Sequence, residues 1–174
     1  PMQLFPRRWA WATMLALIAI PLAQAASTAR VALKEVNAAA QKWQPDAVLT
    51  HVSTLSAKAD GKANSWLYNF YSVKARKSAI VTARDIRVEI EPDVRTTSVD
   101  PIGEFIDSDK ALEAARKHGL KANDSIAMGL TLMGKATSQP RMLWSISVMG
   151  ESILSWSIDS KDGSLLHKGE VKLK

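Results

Sequence analysis

The sequence predicts an α+β fold of two similar units, each a helix packed on a three- or four-stranded antiparallel sheet. Three observations predict it. The order helix, strand, strand, strand occurs twice along the chain. Within the strand segments apolar residues alternate, which puts Trp66, Tyr68 and Phe70, and later Trp144, Ile146 and Val148, on single faces. Short turn signals, Ala59-Asp60-Gly61-Lys62 and Ser160-Lys161-Asp162-Gly163, separate segments of hairpin length. The same elements are also compatible with one non-repeating sheet and two helices.

Residues 1–25 read as a cleavable secretory signal. Arg7 and Arg8 are the only charges before Arg30, and an apolar run from Trp9 to Ile20 follows them. That run is shorter than the roughly 20 residues a membrane-spanning helix needs, and it matches the core of a signal peptide. Pro21 breaks the helix, and Ala23-Gln24-Ala25 offers the small residues a signal peptidase requires, so cleavage is expected between Ala25 and Ala26. Trp9 and Trp11 would instead suit an uncleaved anchor at a membrane interface. The arginine pair lacks the residues of a twin-arginine signal, and no cysteine follows for lipid attachment.

The whole chain carries a net charge of +6, and the leader holds two of its 23 basic residues and no acid, leaving residues 26–174 at +4. The charges are scattered. A nucleic-acid partner would want them clustered with exposed aromatics, so none is expected, and the mature chain has no second hydrophobic span. Zero cysteines exclude disulfides, thiolate metal sites and cysteine nucleophiles. The domain must therefore be held by its apolar core.

The first unit, residues 26–98, opens with Ser27 or Thr28 as the expected cap of a helix whose Ala32, Leu33, Val36, Ala39, Ala40 and Trp43 form one stripe. Gln44-Pro45 ends it. Ala47 to Ala57 and Ser65 to Val73 read as strands, and Lys74 to Lys77 as a basic turn. Ile80 to Ile90 reads as one further strand. Residues 99–107 lack a period and form a connector. The second unit, residues 108–174, begins with a helix capped by Ser108 or Asp109 and closed at Gly119. Ser125 to Gly134, Leu143 to Met149, Ser152 to Asp159 and Ser164 to Leu173 are its expected strands. Trp66 and Trp144 are expected to hold similar places in the two units.

The helix Asp109 to His118, the strand Trp144-Ser145-Ile146-Ser147-Val148, and the run Ser157-Ile158-Asp159-Ser160-Lys161-Asp162-Gly163-Ser164-Leu165-Leu166 together resemble the PepSY domain. The resemblance covers roughly residues 108–168. Residues 29–92 resemble the same unit in outline, with Arg84-Asp85-Ile86-Arg87-Val88-Glu89 read as a longer strand in place of the glycine turn. The resemblance implies a non-catalytic module outside the cytoplasm, of a kind proposed to inhibit secreted peptidases or bind ligands near the cell envelope.

Candidate chemistry is sparse. His51, His118 and His167 are not at metal-ligand spacing, and His118 suits a helix C-terminus. Asp107, Asp109 and Glu113 surround a helix start, where carboxylates complement the dipole. Asp159 to Gly163 has a lysine inside and no closing glutamate, which makes it a turn rather than a calcium loop. No nucleophile elbow or phosphate loop occurs, so neither an enzyme nor a cofactor is expected. The expected function is an exported, non-enzymatic regulatory or inhibitory module of the bacterial envelope or periplasm, acting on a protein or peptide. Its exposed sheet edge could take up a partner strand. The alternative is a carrier or sensor for a small apolar ligand, with a pocket between helix and sheet lined by Trp43, Trp66, Tyr68, Phe70, Trp144 and Trp156.

Overall fold

Chain order already dictates much of the architecture: one helix and four strands, then one helix and four strands. The computed structural model describes residues 25–91, 100–133 and 140–173. The elements are α1 (Leu33–Trp43), β1 (Val48–Ala57), β2 (Leu67–Ser72), β3 (Lys77–Thr82), β4 (Arg87–Glu91), α2 (Ser108–Lys117), β5 (Ile126–Met133), β6 (Arg141–Met149), β7 (Ser152–Asp159) and β8 (Leu165–Lys172). All eight strands join one antiparallel sheet in the order β4-β3-β2-β1-β5-β6-β7-β8. The fold is α+β. The expected leader lies outside the described residues apart from Ala25. Among the described residues no helix is long and apolar enough to cross a membrane.

Each helix forms because its apolar stripe has somewhere to go. Val36 and Ala40 of α1, and Ala111, Leu112 and Ala115 of α2, are buried in one cluster with the inward residues of the sheet. Those are Val52, Tyr68, Phe70, Val81, Met128, Leu130, Trp144, Ile146, Trp156 and Ile158. α1 lies against β3 and β4, and α2 against β6 and β7. Both helices therefore roof the same face. Burying a side chain such as Val36 or Leu112 contributes about 1.5–3 kcal/mol, the alanines less, and here one core collects the contributions of both helices.

Several local expectations are corrected. Ser27 and Thr28 do not cap α1; its N-cap is Ala32, which has no capping side chain. Ser27 instead exchanges two backbone hydrogen bonds with Ala63, both 3.0 Å, in an isolated antiparallel bridge outside the strands of the sheet. Asp107, not Ser108 or Asp109, caps α2 by accepting from the Ser108 N–H at 2.7 Å. Gly119 does adopt the left-handed conformation after α2, at φ +97°.

The largest correction concerns residues 80–90. They are two strands, β3 and β4, joined by a turn at 83–86. Ile86 stands there at φ +50°, the counterpart in geometry of Gly163 at φ +77° in the β7–β8 turn. A β-branched residue pays strain in this region, so the letters hide the turn that Asp-Gly announces elsewhere. A second correction concerns Trp66, which lies just before β2. Trp144 sits on β6 paired with Leu130 and Ile158, whereas the ladder position so flanked in the first half is Tyr68, between Val52 and Val81.

The halves are stitched across the middle. β1 and β5 pair through Val52↔Leu130, Ser53↔Gly129 and Thr54↔Met128. Fully buried Ser108 accepts from the Ala29 N–H at 3.1 Å and donates to the Gly61 carbonyl at 2.7 Å. Gly61 is required there: its φ is +74°, and a Cβ would lie 2.5 Å from the Asp109 Cα. The Arg116 guanidinium also donates to the Ala59 carbonyl. The β1–β2 turn of the first half is thus docked on the helix of the second.

Candidate interaction surface

The six aromatics expected to line a pocket divide differently. Trp66, Tyr68, Phe70, Trp144 and Trp156 are buried in the core, and Trp43 is half-buried at the end of α1. Their polar atoms show what they do. The indole N–H of Trp66 donates to Ser27 O at 2.8 Å, that of Trp144 to Ile106 O at 2.9 Å, and that of Trp156 to His118 O at 3.1 Å. The Tyr68 hydroxyl donates to Ala29 O at 2.6 Å; burial, with the nearby Asp107 charge, raises its pKa well above the usual tyrosine range. A buried aromatic with a satisfied polar tip is a stable arrangement. Here each tip grips the chain just before or after a helix, and so ties helix to sheet.

Some of these rings pack directly on one another. Trp66 and Trp144 meet edge to face at 6.1 Å, and Trp144 meets Phe105 the same way at 6.0 Å. The Arg30 guanidinium lies 5.6 Å from the Phe105 ring. Phe105 fell in the expected connector, where no periodicity marks a core residue. An open cleft of about 600 Å³ borders this segment, with Arg30, Phe105, Met142 and Lys161 in its lining. Trp156 borders another of about 420 Å³, beside Gly119, Val148 and Leu154.

The opposite face of the sheet is organised otherwise. One row of paired residues crosses all eight strands: Arg87, Thr82, Leu67, Ser53, Gly129, Ser145, Ser157 and His167. Beside it runs a second row, Ala127, Ser147, Ser155 and Gly169. A third, Met149, Ile153 and Val171, is apolar. Met149 is 76% exposed and Val171 62%, and Leu55 in the β1 bulge reaches 82%. Tyr71 and Leu143 also point to this face yet are buried. Small residues are frequent in the middle of the face, where Leu67 is also partly exposed, and large apolar ones stand near its ends, Met149, Ile153 and Val171 at one and Met133 at the other.

Histidines sit among those small residues. A Cβ on Gly129 would lie 3.3 Å from His51 Cε1, and one on Gly169 would lie 3.2 Å from His167 Nε2. Burial lowers the His51 pKa, opposed by a hydrogen bond with the Leu130 backbone. His118 is elsewhere, its carbonyl accepting from Trp156 and from Lys168 Nζ at 3.1 Å. The carboxylates of the acidic turn are used by the turn: Asp159 accepts from Lys161 N and Asp162 from Ser164 N, each at 2.8 Å. Asp107 accepts from the Arg30 N–H as well as from Ser108, while Glu113 pairs with Lys110 and Lys117. No group of three or more metal-ligating side chains occurs among the described residues.

The comparisons with known proteins bear on the fold alone. No family model matches the chain, and no curated protein matches it significantly. A crystal structure from Clostridium difficile 630, described only as a candidate lipoprotein, is similar at a TM-score of 0.51 and 14% identity. The match covers 75% of this chain and 86% of that one.

Proposed function

We propose that this chain is an exported, non-catalytic binding module of the bacterial envelope, built from two PepSY-like units, that engages a protein partner through its open sheet face. The observation that carries the proposal is the asymmetry of the sheet. Both helices roof one face, while the other is rich in serine and glycine, with Met149, Val171 and Leu55 exposed on it. Exposed apolar groups gathered at a polar surface characterise interaction sites. Eight strands about 4.8 Å apart span roughly 34 Å, which accommodates an interface of standard size, about 800 Å² per partner.

Two further sets of observations support the reading. For the units, the element order repeats, Val52 and Leu130 pair with one another at the centre of the sheet, and Ile86 and Gly163 share a left-handed turn after an aspartate. For export, the support is the leader's Arg7-Arg8, its apolar run and Ala23-Gln24-Ala25, together with the lipoprotein description of the structural neighbour.

The test is affinity capture from envelope extract, with the wild-type chain and a Ser145→Arg/Ser157→Arg variant as parallel baits. Both substitutions place bulky charges on the open face without entering the core. A single stoichiometric envelope protein should bind the wild type and bind the variant at least tenfold more weakly when both are purified and titrated. Equal binding to the two baits would remove the open face from the proposal.

A further inference from the structure

A sheet edge in a folded protein leaves a row of backbone donors and acceptors unpaired, and natural edges are blunted by shortness, bulges, proline or charge. Here β4 is the short edge, five residues, and its Arg87 already pairs with Glu89 of the same strand at 3.0 Å. β8 is different. Leu165 to Lys172 runs eight residues at the other edge with no proline, and its one bulge lies near its start, between Leu165 and His167. The charges after it, Lys168, Glu170 and Lys172 on the helix side of the sheet, alternate in sign, so they repel a partner strand only in some registers. Neither Lys168 nor Glu170 has an ion pair among the described residues. Lys168 lies over the Trp156 ring at 5.7 Å, and Glu170 accepts from the Ser152 hydroxyl.

We propose that β8 is a self-association edge, and that the partner it fits is β8 of a second copy of this chain, antiparallel about a two-fold axis through Gly169. Register decides the matter. Residues opposite one another across an antiparallel pair share a face, so a two-fold perpendicular to the sheet must pass through a residue. Through Lys168 it would oppose two lysines. Through Glu170 it would oppose two glutamates and set Lys168 against Lys172. Through Val171 it would set Glu170 against Lys172 but pair only residues 170–172 of the strand, where the Gly169 axis pairs residues 166–172. Through Gly169 it sets Lys168 against Glu170 twice, once on each side of the axis, with His167 against Val171 on the open face. Glycine at the axis leaves no pair of side chains to crowd one another on the open face there. Opposite charges directly across a pair stabilise, and like charges destabilise. The dimer would be a sixteen-stranded sheet whose two open faces run on continuously, and its formation does not depend on the function proposed above.

The experiment is sedimentation velocity on the full chain purified after export, over a range of about 1–200 µM, with wild type, Lys168→Glu, Glu170→Lys and the double swap. The wild type should dimerise reversibly. Each single substitution sets like charges across the axis at two places and should weaken the dimer about tenfold. The double swap restores opposite signs and should return the dissociation constant to within about threefold of wild type. Because Lys168 also touches Trp156, circular dichroism checks folding, and hydrogen exchange of the β8 amides should slow as wild-type concentration rises. A monomeric wild type at the highest concentration overturns the proposal. So does a dimer unaffected by either single substitution, or a double swap that stays as weak as the singles.

Discussion

At the scale of residues, burial has been given to groups whose polar ends can be satisfied. Trp66, Trp144, Trp156 and Tyr68 place large apolar bodies in the core and hand a single hydrogen bond to the backbone around the helices. His51 is the residue where burial has a pH consequence. Its pKa is lowered by loss of water, partly opposed by the Leu130 backbone. The unfolded chain takes up this proton near pH 6.5 while the folded chain resists it. The unfolded state then binds more protons, so stability falls as pH drops below that value. The lowered carboxylates Asp46, Asp60, Glu113 and Asp162 lose stability in a separate and more acidic window, mostly below about pH 5. Urea unfolding at pH 7.5 and 5.5 should therefore show a smaller acid loss for His51→Gln than for wild type. Identical losses would mean that His51 titrates normally in the folded chain.

At the scale of elements, the turns separate what letters announce from what geometry requires. Ser160 to Gly163 was legible, because an Asp-Gly turn is pre-adapted to the positive φ that Gly163 adopts. The β3–β4 turn was not, because Ile86 occupies the left-handed position. A non-glycine residue there costs roughly 1–2 kcal/mol, and glycine returns part of that relief as unfolded-state entropy. Ile86→Gly should stabilise the chain by about 0.5–1 kcal/mol, raising its melting temperature by roughly 1–4 °C. A fall in melting temperature would show that the partly exposed Ile86 side chain contributes more by packing than its backbone loses by strain. The helix caps carry the same lesson. Asp107, one residue earlier than expected, caps α2 while also accepting from Arg30, seventy-seven positions away. No local window contains that second partner.

At the scale of the whole molecule, the pairing of β1 with β5 joins the two halves into one sheet. The interior cluster runs from Val36 through Val52 and Leu130 to Ile158, and Ser108 bridges Ala29 and Gly61 across the halves. Opening either half alone would expose the β1–β5 ladder and one side of that core. Tryptophan fluorescence and far-ultraviolet dichroism should accordingly report a single coincident unfolding transition. Two separated transitions would mean that the halves fold as independent domains. Both helices, six of the eight strands and the inward-facing Trp66, Tyr68, Phe70, Trp144 and Trp156 were legible in the sequence, because period-2 and period-3.6 patterns and glycine turns are local signals; the division of residues 77–91 into β3 and β4 was not. Tertiary structure alone decided that eight strands form one sheet, that both helices roof the same face, and that Ser53, Gly129, Ser145 and Ser157 line up on the other. Strand order depends on contacts between residues far apart in the chain. A serine on an open face carries no periodicity of its own until its neighbours across the sheet are known.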